Sequence, residues 1–416
     1  MGRRRVLEQH QPGPGALDGI LVLDATQMLA GPMAGMRLGD LGAEVVKIEG
    51  PRGEFNRTHG FEDLTVEGQM TTFLAVNRNK RSVTIDLKHP DGLATFLELA
   101  AKADVFIQNF RHGTAERLGI GYEQLHELNP RLVYCSISGY GSDGPYRDRP
   151  GQDLVLQGYS GSMYSVGAKG DPPVPSALWA ADVMSGYQAV IGILGAIVAR
   201  GRTGEGQQVE VDMLSVVLDS QAQELVTYLN TGRQPTRSDE VGAHASIPAP
   251  YGVYRTKDSW VTLAMCNLAD LGEALDDDWL RTLDHYNDGH VHRDAVYRHI
   301  RDRFLTRTTQ EWMPILDANG VWAGPVYDYA DLEHDPHIEA LGIIAEQPQP
   351  WGAVRTVRVP VQLSKTPTAI RRGAPLLGAD TRSVLQEVLG YDDGRIDGLV
   401  AAGAITDHLE GTGADQ

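Results

Sequence analysis

The stretch "GILVLDATQMLAGPMAGMRLGDLGAEVVKIEGP", residues 19–51, reads as strand, helix, strand. Its first part, "GILVLDAT", is a short apolar run of strand length. "QMLAGPMAGMRLGDLG" then repeats apolar and small residues at helical spacing, with the small ones placed where a backbone can approach a ligand. "AEVVKIEGP" is the returning strand, ended by Gly50-Pro51. The same alternation continues through "RSVTIDLKHPDGLATFLELAAKADVFIQNF" (81–110), with a helix opened at Asp91, and through "RLVYCSISGYG" (131–141). Strands and helices alternating at these lengths predict right-handed βαβ units and a mostly parallel sheet. Ligands of such sheets sit at the carboxyl ends of the strands, which singles out the loops after residues 24, 49, 108 and 138.

Beyond this region the texture changes. Residues 225–330 predict a small α+β domain, with a hairpin in "YGVYRTKDSWVTLAMC" turning at Lys257-Asp258. Residues 331–405 carry short strands in "VRTVRVPVQL" and a closing helix in "TRSVLQEVLG". Residues 1–15 and 406–416 are expected to be loose tails, leaving 16–224 as the first part of a large domain. Formal net charge is −18, which argues against non-specific nucleic-acid binding. The apolar run at 189–199 is short and broken by glycine, so no membrane span is expected. "MGRRRVLEQHQPGPG" lacks the apolar core of a signal peptide. The two cysteines, Cys135 and Cys266, lie in strand-like runs and suit a reducing compartment. A cytoplasmic protein is expected.

The chemistry-bearing candidates start with Asp182, in "LWAADVMSGYQAVIGILGAIVAR" (178–200). An aspartate at a helix start can cap the helix and also be a carboxylate kept ionised by the helix dipole for nucleophilic work, and Asp182 is expected to do both. Gly186, Gly192 and Gly195 weaken the helix behind it by about 1 kcal/mol each relative to Ala, which suggests close packing or a ligand across it. Basic residues gather at strand-end loops: Arg52 and Arg57, Asn79-Lys80-Arg81, and Arg111 and Arg117. In an acidic chain such clusters point to a phosphate-bearing ligand. No GxGxxG follows the first strand and no Walker A occurs, so neither a nicotinamide, flavin nor ATP fold is supported. "HVHRD" and "EHDPHIEA" lack a metal frame, and GxSxG is absent.

Taken in order, "LDGILVLDATQMLAGPMAGMRLGDLGAEVVKIEGPRG", "NRNKRSVTIDLKHPDG", "ADVFIQNFRHGTAERLGIGYEQLHELNPRLVYCSISGYG", "DVMSGYQAVIGILGAIVARGRTGEGQQVEVDML", "GPVYDYADLEHDPH" and "APLLGADT" resemble the class III coenzyme A transferases. That family includes formyl-CoA and carnitine CoA-transferases and α-methylacyl-CoA racemases. The resemblance implies a Rossmann-like α/β large domain completed by the C-terminal segment, a smaller inserted domain, and an intertwined homodimer. It implies a catalytic aspartate at Asp182 and CoA contacts at Leu29, Arg52, Lys80, Asn109, Phe110, Arg117 and Arg149. Coenzyme A would be the carrier, with an acyl-CoA and a carboxylic acid as partners and no metal.

Racemases of the group carry a histidine before an aspartate as a proton-accepting partner. Here the stretch is "RPGQDLVLQGYSG", with Gln152 and Asp153. A glutamine accepts no proton at neutral pH, so acyl transfer is expected over racemisation, with Gln152 orienting substrate or merely bonding a loop. Asp153 is the fallback second base. The glycine-run loop of formyl-CoA transferases is absent from "SDEVGAHASIPAPYG" (238–252), so oxalate or formate specificity does not carry over. Tyr140, Tyr159 and Trp179 are candidate acyl-pocket neighbours. The other readings are an acyl-CoA racemase or epimerase and a CoA-binding protein without catalysis.

Overall fold

A computed structural model describes residues 13–407, so most of both expected tails lies outside it. By compactness the chain divides into two units. Among the described residues, one takes in 13–153, Trp179–Val216 and 341–407; the other takes in Leu154–Leu178 and Val217–Ala340. The second unit therefore reaches beyond the expected 225–330 at both borders and gains a separate earlier segment.

The first unit is built on strands β1 (Leu21–Asp24), β2 (Glu44–Glu49), β3 (Lys80–Ile85), β4 (Val105–Gln108), β5 (Val133–Ser138), β6 (Gln208–Asp212) and β7 (Ile405–Thr406). They pair in the order β7-β3-β2-β1-β4-β5-β6. All neighbours are parallel except β7, which runs antiparallel to β3. The fold is α/β with a mostly parallel sheet, and its C-terminal residues supply the edge strand. In register, Leu23 sits beside Val46 and Phe106. From β1 the chain builds outward through β2 and β3, then returns to β1's other side with β4. That reversal makes a crevice at the carboxyl ends of β1 and β4.

Four helices matter to the site: α1 (Ala30–Asp40), α2 (Pro90–Ala100), α3 (Asp153–Ser160) and α4 (Ala180–Thr203). Leu23, Val46 and Phe106 join Phe96 and Leu99 of α2 in one apolar core. Phe106 packs edge-on between Phe96 and Tyr134, with centroids 5.4 Å apart in both pairs. The alternate strand residues Val22, Val45 and Val105 are buried on the other face, the period-two consequence of a sheet covered on both sides. Helix α2 is capped by the His89 ring, which accepts from the Asp91 N–H; Asp91 is inside its first turn rather than at its cap.

Helix α4 packs against α1, β5 and β6. The chain meets α1 closely at Gly186, where a Cβ would stand 2.8 Å from the Ala30 carbonyl oxygen. Gly192 likewise faces Val209, whereas Gly195 faces open space. At 24 residues α4 is long and apolar enough to cross a bilayer, contrary to the short span expected from 189–199. Here it lies along the sheet, burying Ala181, Ser185, Ala189, Ile193 and Ala196.

In the second unit the expected hairpin forms from Gly252–Arg255 and Trp260–Leu263, with Arg255 opposite Trp260, and Ala323–Pro325 adds a third strand. Tyr254, Val261, Phe304 and Trp312 fill its core.

Candidate active site

A cavity of about 170 Å³ opens where the sheet reverses. Thr26 and Gln27 line it after β1, Gly50 after β2, Lys88 after β3, and Phe110 with Leu118 after β4. Phe110, one of the CoA contacts the resemblance implies, is among these lining residues. Its neighbour Asn109 bonds the Gln27 backbone twice, accepting from its N–H at 2.9 Å and donating to its carbonyl at 2.8 Å. Leu29 is the residue just before α1. Arg52, in the turn after β2, and Arg117, the last residue of a short helix (Thr114–Arg117), are exposed, and Arg117 donates to the Thr114 hydroxyl at 2.8 Å. Arg149 is exposed with its guanidinium 4.0 Å from the Tyr146 ring centroid. Lys88 was missed by sequence reasoning because the loop after β3 was not among those singled out; the strand ending before "DLKHP" was the available signal.

Lys80 is placed differently from a surface anion contact. As the first residue of β3 it points inward and is fully buried. Its ammonium lies 2.8 Å from the Asp24 carboxylate and donates to the Pro32 carbonyl and the Asn77 side chain. Burial pulls the Lys80 pKa down to about 8, with Asp24 opposing that pull. Gly35 of α1 lies directly over this pair: a Cβ there would stand 2.4 Å from the Asp24 oxygen. Beside it, Lys47 pairs with Glu54 at 3.0 Å and donates to the Thr26 carbonyl. Glu49 binds Arg57 through two bonds of 2.7 Å. Burial pushes the Glu49 carboxyl up, but Arg57, Lys47 and the Ser82 hydroxyl together outweigh it and hold the group below its ordinary value. Buried charges are tolerated only when paired in this way. Of the basic residues read as ligand-facing, Lys80 and Arg57 are thus engaged in ion pairs beside the cavity.

Asp182 lies in the first turn of α4, not at its cap. The cap position is Trp179, in a left-handed conformation (φ 50°) and stacked on Phe61 at 5.7 Å. The capping acid is Asp153, buried at the start of α3, which accepts from the Ala181 N–H at 2.8 Å and the Asp182 N–H at 3.3 Å. The expected self-capping by Asp182 is thereby replaced, and the Asp182 carboxyl is left for other contacts. One of these is the Ala30 N–H at the start of α1, which donates to it. Burial, then the charge of Asp153, push the Asp182 pKa up to about 6, and the Ala30 bond only partly offsets them. Its carboxyl is thus more basic than the helix dipole alone implies, yet about nine-tenths ionised at pH 7. Gln152 is exposed immediately before Asp153. Tyr140 packs edge-on against Tyr146, while Tyr159 belongs to the second unit.

The loop between β1 and α1 joins these features, since Thr26 and Gln27 line the cavity and Ala30 meets Asp182.

The model of CoA-transferase family III matches residues 17–381. The chain is similar to human succinyl-CoA:glutarate CoA-transferase, with 34% identity over 94% of this chain and 90% of that protein. It is 35% identical to the beta subunit of succinyl-CoA–L-malate CoA-transferase of Chloroflexus aurantiacus, over 92% of this chain and 96% of the other. Among solved structures, a CAIB/BAIF family protein from Brucella suis superposes with a TM-score of 0.81 at 32% identity, covering 90% of this chain and all of that one.

Proposed function

The chain belongs to CoA-transferase family III, and on that premise we propose that it moves CoA from an acyl-CoA to a carboxylic acid through covalent intermediates on Asp182. The observation that carries this is the Asp182 carboxyl, raised to about 6 and hydrogen-bonded by the α1 amide whose loop lines the cavity. The CoA-transferase activity itself stands over the racemase and non-catalytic readings, because the relatives across nearly the whole chain are named CoA-transferases.

The Asp182 carboxylate attacks the thioester carbonyl, expelling CoA thiolate and leaving a mixed anhydride. The thiolate attacks the aspartyl carbonyl of that anhydride, releasing the donor acid and forming an aspartyl-CoA thioester. The acceptor carboxylate repeats the first exchange, and the returning thiolate takes the acceptor acyl group, regenerating Asp182. Each step trades an acyl C–S bond for a C–O bond or the reverse, with no net proton or redox change. The Ala30 N–H is set to stabilise charge developing on the Asp182 oxygens. Phe110, Asn109 and the exposed Arg52 and Arg117 would receive CoA at the cavity.

Short dicarboxylic acids are the proposed acyl partners, after the succinate, glutarate and malate named for the relatives. The exposed apolar face of α4 supports a homodimer, and two free cysteines support a cytoplasmic setting. The test is transfer from succinyl-CoA to glutarate by the wild-type protein and by Asp182→Asn. Loss of at least ~10³-fold in the variant is expected, the scale of removing a covalent nucleophile; near-normal turnover would overturn the mechanism.

A further inference from the structure

The β1–α1 loop is fastened by side chains at consecutive backbone groups. Lys47 donates to the Thr26 carbonyl, and Asn109 takes both polar groups of Gln27. The Met28 N–H donates to Glu54 at 2.9 Å, and the Met28 carbonyl accepts from the Asn56 side-chain amide at 2.8 Å. Between these last two bonds Met28 sits at φ 69°, left-handed, without being a glycine. Such a conformation persists only where its surroundings hold it, and it tends to occur at functional sites. Two residues further on is Ala30, which α4 approaches closely at Gly186, one turn beyond Asp182, and whose N–H is directed at the Asp182 carboxyl.

We propose that Asn56 is a positioning residue for the transfer reaction: by holding the Met28 carbonyl it fixes the left-handed turn that aims the Ala30 N–H at Asp182. This rests on the reading of Asp182 as nucleophile. Asn56 acts from the loop after β2, so the turn is clamped jointly by Glu54 on one side and Asn56 on the other. Glu54 is buried and paired with Lys47, so its loss endangers folding as well as geometry. Asn56 is partly exposed, and its removal leaves the core intact. The charged group acting on Asp182 is Asp153, which the substitution does not touch.

The test uses the full chain with succinyl-CoA and glutarate, following kcat, KM and the acid limb of the pH profile in Asn56→Ala. With the turn released, kcat should fall about tenfold, the scale of a small misplacement at a reacting centre. KM for succinyl-CoA should stay within about twofold. The acid limb should move upward from about pH 6, because the Ala30 bond lowers the Asp182 pKa. Adding Met28→Gly should recover most of the lost kcat, since glycine adopts a left-handed turn without a clamp. Unchanged kcat with an unmoved acid limb overturns the proposal. So does a raised KM with kcat and limb in place, which would make Asn56 a substrate contact. Asp182→Asn measured alongside separates the two ideas. An active Asp182→Asn removes the nucleophile reading, whereas an inactive one beside an unaltered Asn56→Ala removes the positioning role alone.

Discussion

The role proposed for Asp182 asks a carboxylate to be basic without being protonated at working pH, and its surroundings favour both. Burial and Asp153 raise its pKa to about 6, so transfer should fade as pH drops through that value. A profile of kcat/KM against pH should show an acid limb near 6; a limb near 4, the ordinary carboxyl range, would contradict the burial argument. The same shift has a consequence for stability. Folding raises the pKa from 3.8, so the ionised form is disfavoured in the folded chain. The resulting penalty is absent below 3.8 and complete above about 6, the reverse of a salt-bridged aspartate. At pH 7 it amounts to at most ~3 kcal/mol, less where water reaches the carboxyl. Asp182→Asn should therefore melt at a higher temperature than wild type near pH 7, with the gap closing towards pH 4. Equal melting points at pH 7 would mean the site bears no such strain. From sequence alone Asp182 could be singled out as a candidate nucleophile at a helix start. Its true cap was not, because Asp153 lies far upstream and meets the helix only in the folded chain. The burial of Lys80 was hidden for a related reason: its partner Asp24 lies far away in sequence and meets it only in the folded chain.

At the scale of elements, the α1–α4 contact sets the distance between the Ala30 amide and Asp182. Gly186 permits it, since a Cβ there would press on the Ala30 carbonyl, which cannot swing aside as a side chain would. Gly186→Ala should cost ~1–3 kcal/mol by overpacking and lower kcat by shifting the amide. Denaturant unfolding together with steady-state kinetics checks both; unaltered stability would mean the helices separate freely. The strands around this contact were legible because buried parallel strands are near-continuous apolar runs, as in "VVKI" and "VFIQ". The loop clamps were not, because the partners of Gln27 and Met28 come from residues 54, 56 and 109. Nothing in the local sequence of that loop announces them.

At the scale of the whole molecule, α4 presents Met184, Tyr187, Ile191 and Val198 to solvent, with exposures of 39%, 39%, 61% and 66%. They recur at helical spacing on one face, which is the pattern of a surface that another chain covers. Light scattering at dilute concentration should return twice the chain mass, and a stable, active monomer would contradict the homodimer. The covalent chemistry has the most direct test. Wild-type protein incubated with succinyl-CoA, without acceptor, should gain mass equal to an aspartyl-CoA thioester, mapped by peptide analysis to Asp182 and discharged on adding glutarate. Asp182→Asn should gain none. Sustained transfer with no adduct on Asp182, or an adduct that glutarate leaves in place, would contradict the account.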